Sequence, residues 1–438
     1  MTTTTLRDLL IDSRDGEWGE SQAGAGRVRM RVIRGTDFPD VRQGDFQGVP
    51  LRYLEQRHAI RKRLQFNDIL LETAGGTADR PTGRTALVTR RVLDGLGEDV
   101  TCASFARFIR IDPDKAEPAF VFWLLQHHYA ARNLLQFHLQ HTGVARFQFT
   151  TFADTFVLRL PDRDQQQRVA SILAAYDDLI EVNRRRIALL EEMARRLFDE
   201  WFVRMRFPGR EADATVGAAN GPLPEGWEWR SLPEVCVQPN GIQTGPFGSQ
   251  LHQADYVDEG VPVVMPMNMI GFRIAKDKIA YISEQKANEL VRHRMVIGDV
   301  AYGRRGDIGR RAYISSRENG WFCGTGCLRL RPDPTRIGSR YFFDALGHPT
   351  TLGAIRARAQ GATMPNLSAG AMSGVPVLVP PPALQGTYDD IAGHWAELSA
   401  SLVASNTNLS AQRDLLLPRL MSGELALTAA ERELEDAA

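Results

Sequence analysis

Phe66-Asn67-Asp68-Ile69-Leu70-Leu71, then a Gly-rich turn, then Gly83-Arg84-Thr85-Ala86-Leu87-Val88: this stretch decides the fold, because the chain contains it twice. The second copy reads Ile297-Gly298-Asp299-Val300-Ala301-Tyr302, a turn from Gly303 to Asp307, and Gly309-Arg310-Arg311-Ala312-Tyr313-Ile314. Beyond it, Arg110-Ile111-Asp112-Pro113 answers to Arg331-Pro332-Asp333-Pro334. A strand-like run closes at Pro161 and again at Pro380, and a long amphipathic helix follows each. A period of more than two hundred residues is too long for a solenoid repeat. It means two similar domains and two similar helices in one chain.

The 438 residues suffice for two or three domains, each with its own core. The N-terminus lacks the apolar core of a signal peptide, and no apolar run approaches the ~20 residues that span a bilayer. A cytoplasmic protein is the expectation. The four cysteines, Cys102, Cys236, Cys323 and Cys327, have no Cys/His pairs at finger-like spacing and read as buried thiols rather than metal ligands. His127, His128, His138 and His141 fall in or just after an apolar helical run, Phe120 to Leu139, and read as packing or surface residues. Formal net charge is zero, so no global field draws the chain to nucleic acid. Basic side chains nevertheless gather locally. Arg27, Arg29, Arg31 and Arg34 alternate along one strand-like run, and from Arg273 to Arg311 cations outnumber acids.

Strand signals fall at Arg27–Arg34, Asp68–Glu72, Thr85–Thr89, Ser104–Ile111 and Thr155–Leu160. From Asp162 a 3–4 alternation takes over. Val169, Ile172, Tyr176, Leu179, Asn183, Leu190, Met193 and Leu197 form a heptad seam, interrupted at Arg186. Gln165 to Phe202 would span about 57 Å as a helix. Ile391, Trp395, Leu398, Leu402, Ser405, Leu409, Gln412 and Leu416 form a second seam. Asn183 and Asn406 stand at matching places in the two helices, and a polar seam residue fixes register at some cost in stability. The expected fold is α+β: two similar globular domains separated by two long helices in an antiparallel coiled coil, with pseudo-twofold symmetry. The boundaries are 1–161 for the first domain and 162–207 for the first helix. A linker spans 208–222, the second domain 223–382, the second helix 383–427, and a disordered tail 428–438.

No catalytic motif is present. There is no phosphate loop, no His-Glu-x-x-His, no Gly-x-Ser-x-Gly, and no Asn-Pro-Pro-Tyr/Phe or Asp-Pro-Pro-Tyr tetrapeptide of amino-methylating enzymes. A binding or assembly role is favoured; a single-chain DNA methylase or nuclease with an unrecognised site, and a pure assembly protein, are the alternatives. The strongest local signature is Ile242-Gln243-Thr244-Gly245-Pro246-Phe247-Gly248-Ser249, a rigid loop around one aromatic whose amides and hydroxyls suit phosphate oxygens. The second is Gly361-Ala362-Thr363-Met364-Pro365-Asn366-Leu367-Ser368, matched in the first half by Gly143 to Thr150. The third is the basic hairpin Gly303-Arg304-Arg305-Gly306-Asp307-Ile308-Gly309-Arg310, whose arginines suit guanine edges or phosphates.

Taken in order with the twin helices, these features resemble the specificity subunit of type I restriction–modification systems, over residues 1–427. The first domain departs from the pattern: it has no Gly-Pro-Phe-Gly-Ser, and its hairpin is the looser Ala74-Gly75-Gly76 to Gly83-Arg84. The resemblance implies two target-recognition domains, each reading half of a bipartite double-stranded DNA site, with the coiled coil setting the unread spacer. It implies a non-catalytic chain without cofactors of its own. S-adenosylmethionine would sit on two adenine methyltransferase subunits, and ATP and Mg on two restriction/translocase subunits that could complete the complex. The expected DNA contacts are Thr244, Phe247, Ser249, Arg304, Arg305 and Arg310 in the second domain, and Arg80, Arg84 and Arg146 in the first. Leu173, Ile180, Ile187 and Trp201 are apolar residues that a two-helix pair cannot bury, and methyltransferase subunits are expected to pack there.

Overall fold

The computed structural model describes residues 1–77, 79–97, 99–140, 144–210, 223–360 and 365–437. Most of the expected linker 208–222, the residues Gly361 to Met364, and His141 and Gly143 lie outside the described residues. The chain divides into two compact units, Met1–Arg186 with Leu402–Ala438, and Ile187–Ser401.

The first unit opens with Thr2–Thr5, paired antiparallel with Val157–Leu160. Four consecutive β-branched threonines favour extended backbone. Thr5 then caps the one-turn helix Leu6–Leu9 in a reciprocal box with Asp8. The main sheet runs in the spatial order Leu10–Asp15, Ala106–Ile111, Ile69–Glu72, Thr85–Leu87, antiparallel throughout. A second sheet sets Arg27–Ile33 between Leu51–Glu55, antiparallel, and Val100–Cys102, parallel. The helix Pro118–Ala130 buries Phe120, Phe122, Trp123 and Leu125. It stops nine residues short of the expected Leu139, because Arg132 turns left-handed at φ 59° and the chain continues as a 3-10 turn and the strand His138–Leu139.

The second unit repeats this plan. Glu228–Ser231 pairs with Pro376–Val379, and Ser231 with Glu234 caps the one-turn helix Leu232–Val235. Its main sheet runs Ile242–Thr244, Cys327–Leu330, Val300–Gly303, Arg311–Tyr313, again antiparallel. Its second sheet sets Val261–Val264 between Ala280–Ile282, antiparallel, and Phe322–Cys323, parallel. The duplicated sequence is therefore a duplicated topology.

The same ion pair holds both copies. Asp68 is fully buried and takes two 2.8 Å bonds from Arg110 and one from the Gln65 amide at 2.7 Å. Asp299 is buried and takes two 2.7 Å bonds from Arg331 and one from the Val296 amide at 2.9 Å. Burial pushes the Asp68 carboxyl up, and the Arg110 bonds pull against that shift.

The first long helix is Arg163–Phe198, continued by a π-helical turn over Asp199–Val203; the second is Pro382–Ser422. Within the first unit they run antiparallel: Asp177 pairs with Arg413, and the Asn183 amide donates to Asn406 Oδ1 at 3.0 Å. Asn406 in turn donates to the Ile180 carbonyl at 3.1 Å. Within the second unit Trp201 and Phe202 pack on Tyr388, with ring centroids 6.3 and 5.1 Å apart.

Three expectations need correction. The seam is turned by one residue in the second unit: Met193 and Leu398 are exposed, whereas Ala194 and Ser399 are buried. Small side chains inside let two helices approach closely, which a rule that places large apolar residues inward misses. The four expected partner-facing residues are covered by the chain itself. Leu173 and Ile180 join the core of the first unit, Trp201 that of the second, and Ile187 is buried too. The expectation counted only what a helix pair covers and ignored the domain packed on its flank. Finally, Leu427–Ala437 is a helix where a disordered tail was expected. Between its acids run Leu427, Ala430 and Leu434, a helical stripe packed on the first unit's core, and Glu431 pairs with Arg168 at 2.9 Å.

Candidate nucleic-acid interface

The three sequence signatures of the second half meet in the second unit. The strand Ile242–Thr244 delivers the loop that follows it against residues 323–327. Gly245 is obligatory there, since a methyl group on it would lie 1.9 Å from the Gly324 carbonyl oxygen. This close approach holds the loop back and leaves Phe247 54 % exposed, with Ser249 exposed and Thr244 half-buried.

Arg304 and Arg305 stand next to each other and do different things. Arg304 is only 5 % exposed. Its guanidinium lies 5.8 Å from the Phe247 ring centroid, and its Nε donates to Asn366 Oδ1 at 3.3 Å. Its amide donates to the Gly326 carbonyl, and its carbonyl accepts from the Leu367 amide. Burial first, and the charge of Arg305 second, hold its guanidinium below its ordinary pKa. Arg304 thus braces the glycine loop, the hairpin and the Asn366 segment to one another. Arg305 is exposed and has no acidic partner among the described residues. Arg310 is half-buried; it donates to the Pro266 carbonyl at 3.1 Å and pairs with Asp307 at 3.3 Å. Ser368 caps the helix Ala369–Ser373 through the Ala371 amide at 3.0 Å, so that part of the second signature is structural.

In the first unit the three candidate arginines separate. Arg84 is committed: it donates to both carboxylate oxygens of Glu72 at 2.8 Å and to the Gly35 carbonyl at 2.7 Å, with its side chain 13 % exposed. Its charge is balanced inside the fold, which removes it as a free contact. Arg80 is half-buried and donates to the Gly75 carbonyl at 3.3 Å, and Arg146 is exposed. These two belong to adjoining segments, since the Gly75 amide donates to the Ala145 carbonyl and residue 146 bridges to Ala74.

Nothing in the described residues points to metal or thiol chemistry. No group of three His, Cys, Asp or Glu side chains among them could hold a metal ion. The four cysteines are buried and unpaired, and burial pushes the Cys102, Cys236 and Cys323 thiols up to about 12. No helix among the described residues is long and apolar enough to cross a membrane. Sequence reading missed the bracing role of Arg304 and Asn366, and the Asp–Arg pair beneath each hairpin. The pair had a signal, since Asp68 with Arg110 and Asp299 with Arg331 stand inside the repeated blocks.

No family model matches the chain. The type I restriction enzyme MjaIX specificity subunit of Methanocaldococcus jannaschii is 21 % identical over 266 residues, 60 % of this chain and 60 % of that protein. The putative type I restriction enzyme MjaX specificity subunit of the same organism is 24 % identical over 132 residues, 29 % of each chain. The chain thus matches three-fifths or less of the length of these curated relatives. The crystal structure of a type I restriction–modification system S subunit from M. genitalium superposes with a TM-score of 0.57 at 17 % identity, covering 96 % of this chain and 95 % of that one. In sequence over three-fifths of its length, and in fold over nearly all of it, the chain is similar to the specificity subunits of type I restriction–modification systems.

Proposed function

We propose that this chain is the sequence-specific DNA-recognition subunit of a type I restriction–modification complex, that it is itself non-catalytic, and that it works in the cytoplasm. Each unit reads one half of a bipartite duplex site. The observation that carries this reading is the basic hairpin of the second unit, in which Arg304 reaches the exposed, glycine-set Phe247 and its neighbour Arg305 is exposed with no acidic partner among the described residues. An exposed aromatic, loop hydroxyls and an uncompensated guanidinium together suit a phosphate backbone and base edges. Arg80 and Arg146 take the corresponding part in the first unit, and Thr244, Ser249 and Arg310 flank Phe247 and Arg305 in the second.

The catalytic partners are two adenine methyltransferase subunits carrying S-adenosylmethionine, with two ATP- and Mg-dependent translocase subunits for restriction. The methyltransferases dock on the apolar side chains that the long helices leave exposed. These are Leu189, Met193 and Leu398 in the second unit, and Val182 and Leu415 in the first. They take the place of the buried Leu173, Ile180, Ile187 and Trp201.

Duplex binding by the purified chain at several salt concentrations tests the reading. Affinity is expected to fall steeply with salt, with a log–log slope equal to about 0.9 per phosphate neutralised. Arg305→Ala is expected to flatten that slope by about one if it contacts phosphate, or to relax one base position at roughly 1–3 kcal/mol if it reads a base. Binding that is indifferent to salt and to Arg305→Ala contradicts the reading.

A further inference from the structure

Beside the basic hairpin lies an apolar ridge that the recognition reading has not used. Three large hydrophobic side chains are exposed within six residues: Met267 at 63 %, Ile270 at 63 % and Phe272 at 54 %. They belong to a 3-10 turn, Pro266–Asn268, and the small hairpin in which Met269–Ile270 pairs with Arg273–Ile274. The turn residues Gly271 and Phe272 both have positive φ, 56° and 65°, the backbone of a tight two-residue hairpin turn. A phenylalanine is costly in that conformation. It is held there by Arg311, 4.9 Å from its ring, and by an edge contact with Phe343 at 6.1 Å. Met269 is buried in the core beneath. The hairpin is therefore pinned on its inner face, and Met267 and Ile270 are presented outward without an apolar partner.

Its position follows from close backbone packing. A methyl group on Gly324 would lie 2.5 Å from Met265 Sδ, and one on Gly326 would lie 2.7 Å from Pro266. Gly324 is also the residue against which Gly245 is pressed. Arg310 donates to the Pro266 carbonyl. The Phe247 loop and the ridge thus both pack on residues 324–326 with no room for a side chain at those glycines, and the Arg304 and Arg310 side chains tie the basic hairpin to them. A protein partner's apolar patch wide enough to cover the adjoining basic hairpin as well would have to bury the unpaired charge of Arg305, which is costly. Duplex DNA offers phosphates to the arginines and one apolar group on its major-groove base edges, the thymine methyl.

We propose that Met267 and Ile270 form a specificity-determining ridge that packs against thymine 5-methyl groups in the half-site read by the second unit. The inference rests on the DNA-recognition reading above. It predicts at least one thymine in that half-site whose methyl group is felt through this hairpin.

The test uses the full-length chain and the duplex it selects from a random pool. Each thymine is replaced in turn by deoxyuridine, which removes only the methyl group. At one or two positions this is expected to weaken binding roughly four-fold, the factor that burial of one methyl group supports. Ile270→Ala with Met267→Ala is expected to weaken the thymine duplex and to bind thymine and deoxyuridine duplexes alike. Sequence-specific binding in which no thymine methyl is sensed, or is sensed equally by the double variant, overturns the ridge while leaving DNA recognition standing. Ile270→Ala that loosens a methyltransferase subunit but not DNA also overturns it, and makes the ridge a subunit contact. Absence of any specific duplex binding removes both the ridge and the reading on which it rests.

Discussion

Asp299 and Arg331 show what a single residue pair does here. Asp299 is 1 % exposed and anchors, through Arg331 and the Val296 amide, the turn that enters the strand leading to Arg304. Removing one partner of such a pair leaves a buried charge without compensation, which costs about 3–5 kcal/mol. Arg331 keeps some solvent contact, with 28 % of its side chain exposed, so the low end of that range applies. Arg331→Ala is therefore expected to lower the stability of the second unit by about 3 kcal/mol, and Arg110→Ala to do the same in the first. Urea unfolding followed by tryptophan fluorescence reads this out. An Arg331→Ala variant as stable as the wild type would show that the pair contributes nothing net. Arg304 differs from its neighbour at the same scale. Arg304→Ala is expected to loosen the Phe247 loop and lower stability, whereas Arg305→Ala should leave the melting temperature unchanged and act only on DNA. The sequence placed both in one basic hairpin. It could not separate them, because burial depends on the Asn366 segment, far away in sequence.

Among the elements, the long helices were legible in their existence, and the strands Arg27–Ile33, Ile69–Glu72 and Ala106–Ile111 lie where runs rich in β-branched and aromatic residues put them. The rotation of the helices was less legible, since Ala194 and Ser399 face inward where Met193 and Leu398 were expected. Heptad reading ranks positions by hydrophobicity, but a close crossing is decided by size. Asn183 was legible as a register device, and its partner is Asn406. Asn183→Ala is expected to destabilise the first unit by about 1 kcal/mol, because it takes the donor from Oδ1 of the half-buried Asn406. Changing both residues to Leu should restore or raise stability, since matched apolar replacement of a buried polar pair is often neutral or favourable. If the single and double variants unfold at the same denaturant concentration, the pair does not act as a unit. The terminal helix gives another test at this scale. Truncation after Gly423 removes Leu427, Ala430 and Leu434 from the first unit's core. It should expose apolar surface that binds a hydrophobic dye and cost about 2–3 kcal/mol, the worth of a buried leucine or so. A truncated chain with unchanged stability and no dye binding would mean that the helix does not dock.

For the whole molecule, the duplicated block fixed the plan: one topology twice, each copy followed by a helix. What the repeat could not supply is the chemistry of the faces, because exposed loops diverge between the copies. The loop aromatic is Trp18 in the first unit, after the pressed Gly16, and Phe247 in the second, after Gly245. Trp18 lies under Arg52 rather than beside a basic hairpin, and Arg84 spends its charge on Glu72. The two units should accordingly read unrelated DNA sequences. If the long helices act as the spacer, adding one heptad to each keeps their faces in phase. An insertion after Arg185, matched by one after Val403 on the facing turn, keeps Asn183 opposite Asn406 and should lengthen the unread gap. Seven residues add about 10 Å of helix, close to three base pairs at 3.4 Å each. An active variant that selects an unchanged gap would assign the spacing to the domains.

The most direct measurement is selection of duplexes from a random pool by the full-length chain, followed by sequencing of what is bound. The account predicts two short conserved blocks separated by a gap of fixed length and no conserved sequence. It also predicts that Phe247→Ala or Arg305→Ala degrades one block and leaves the other intact. A single continuous motif, or a pool no different from the input, would contradict it.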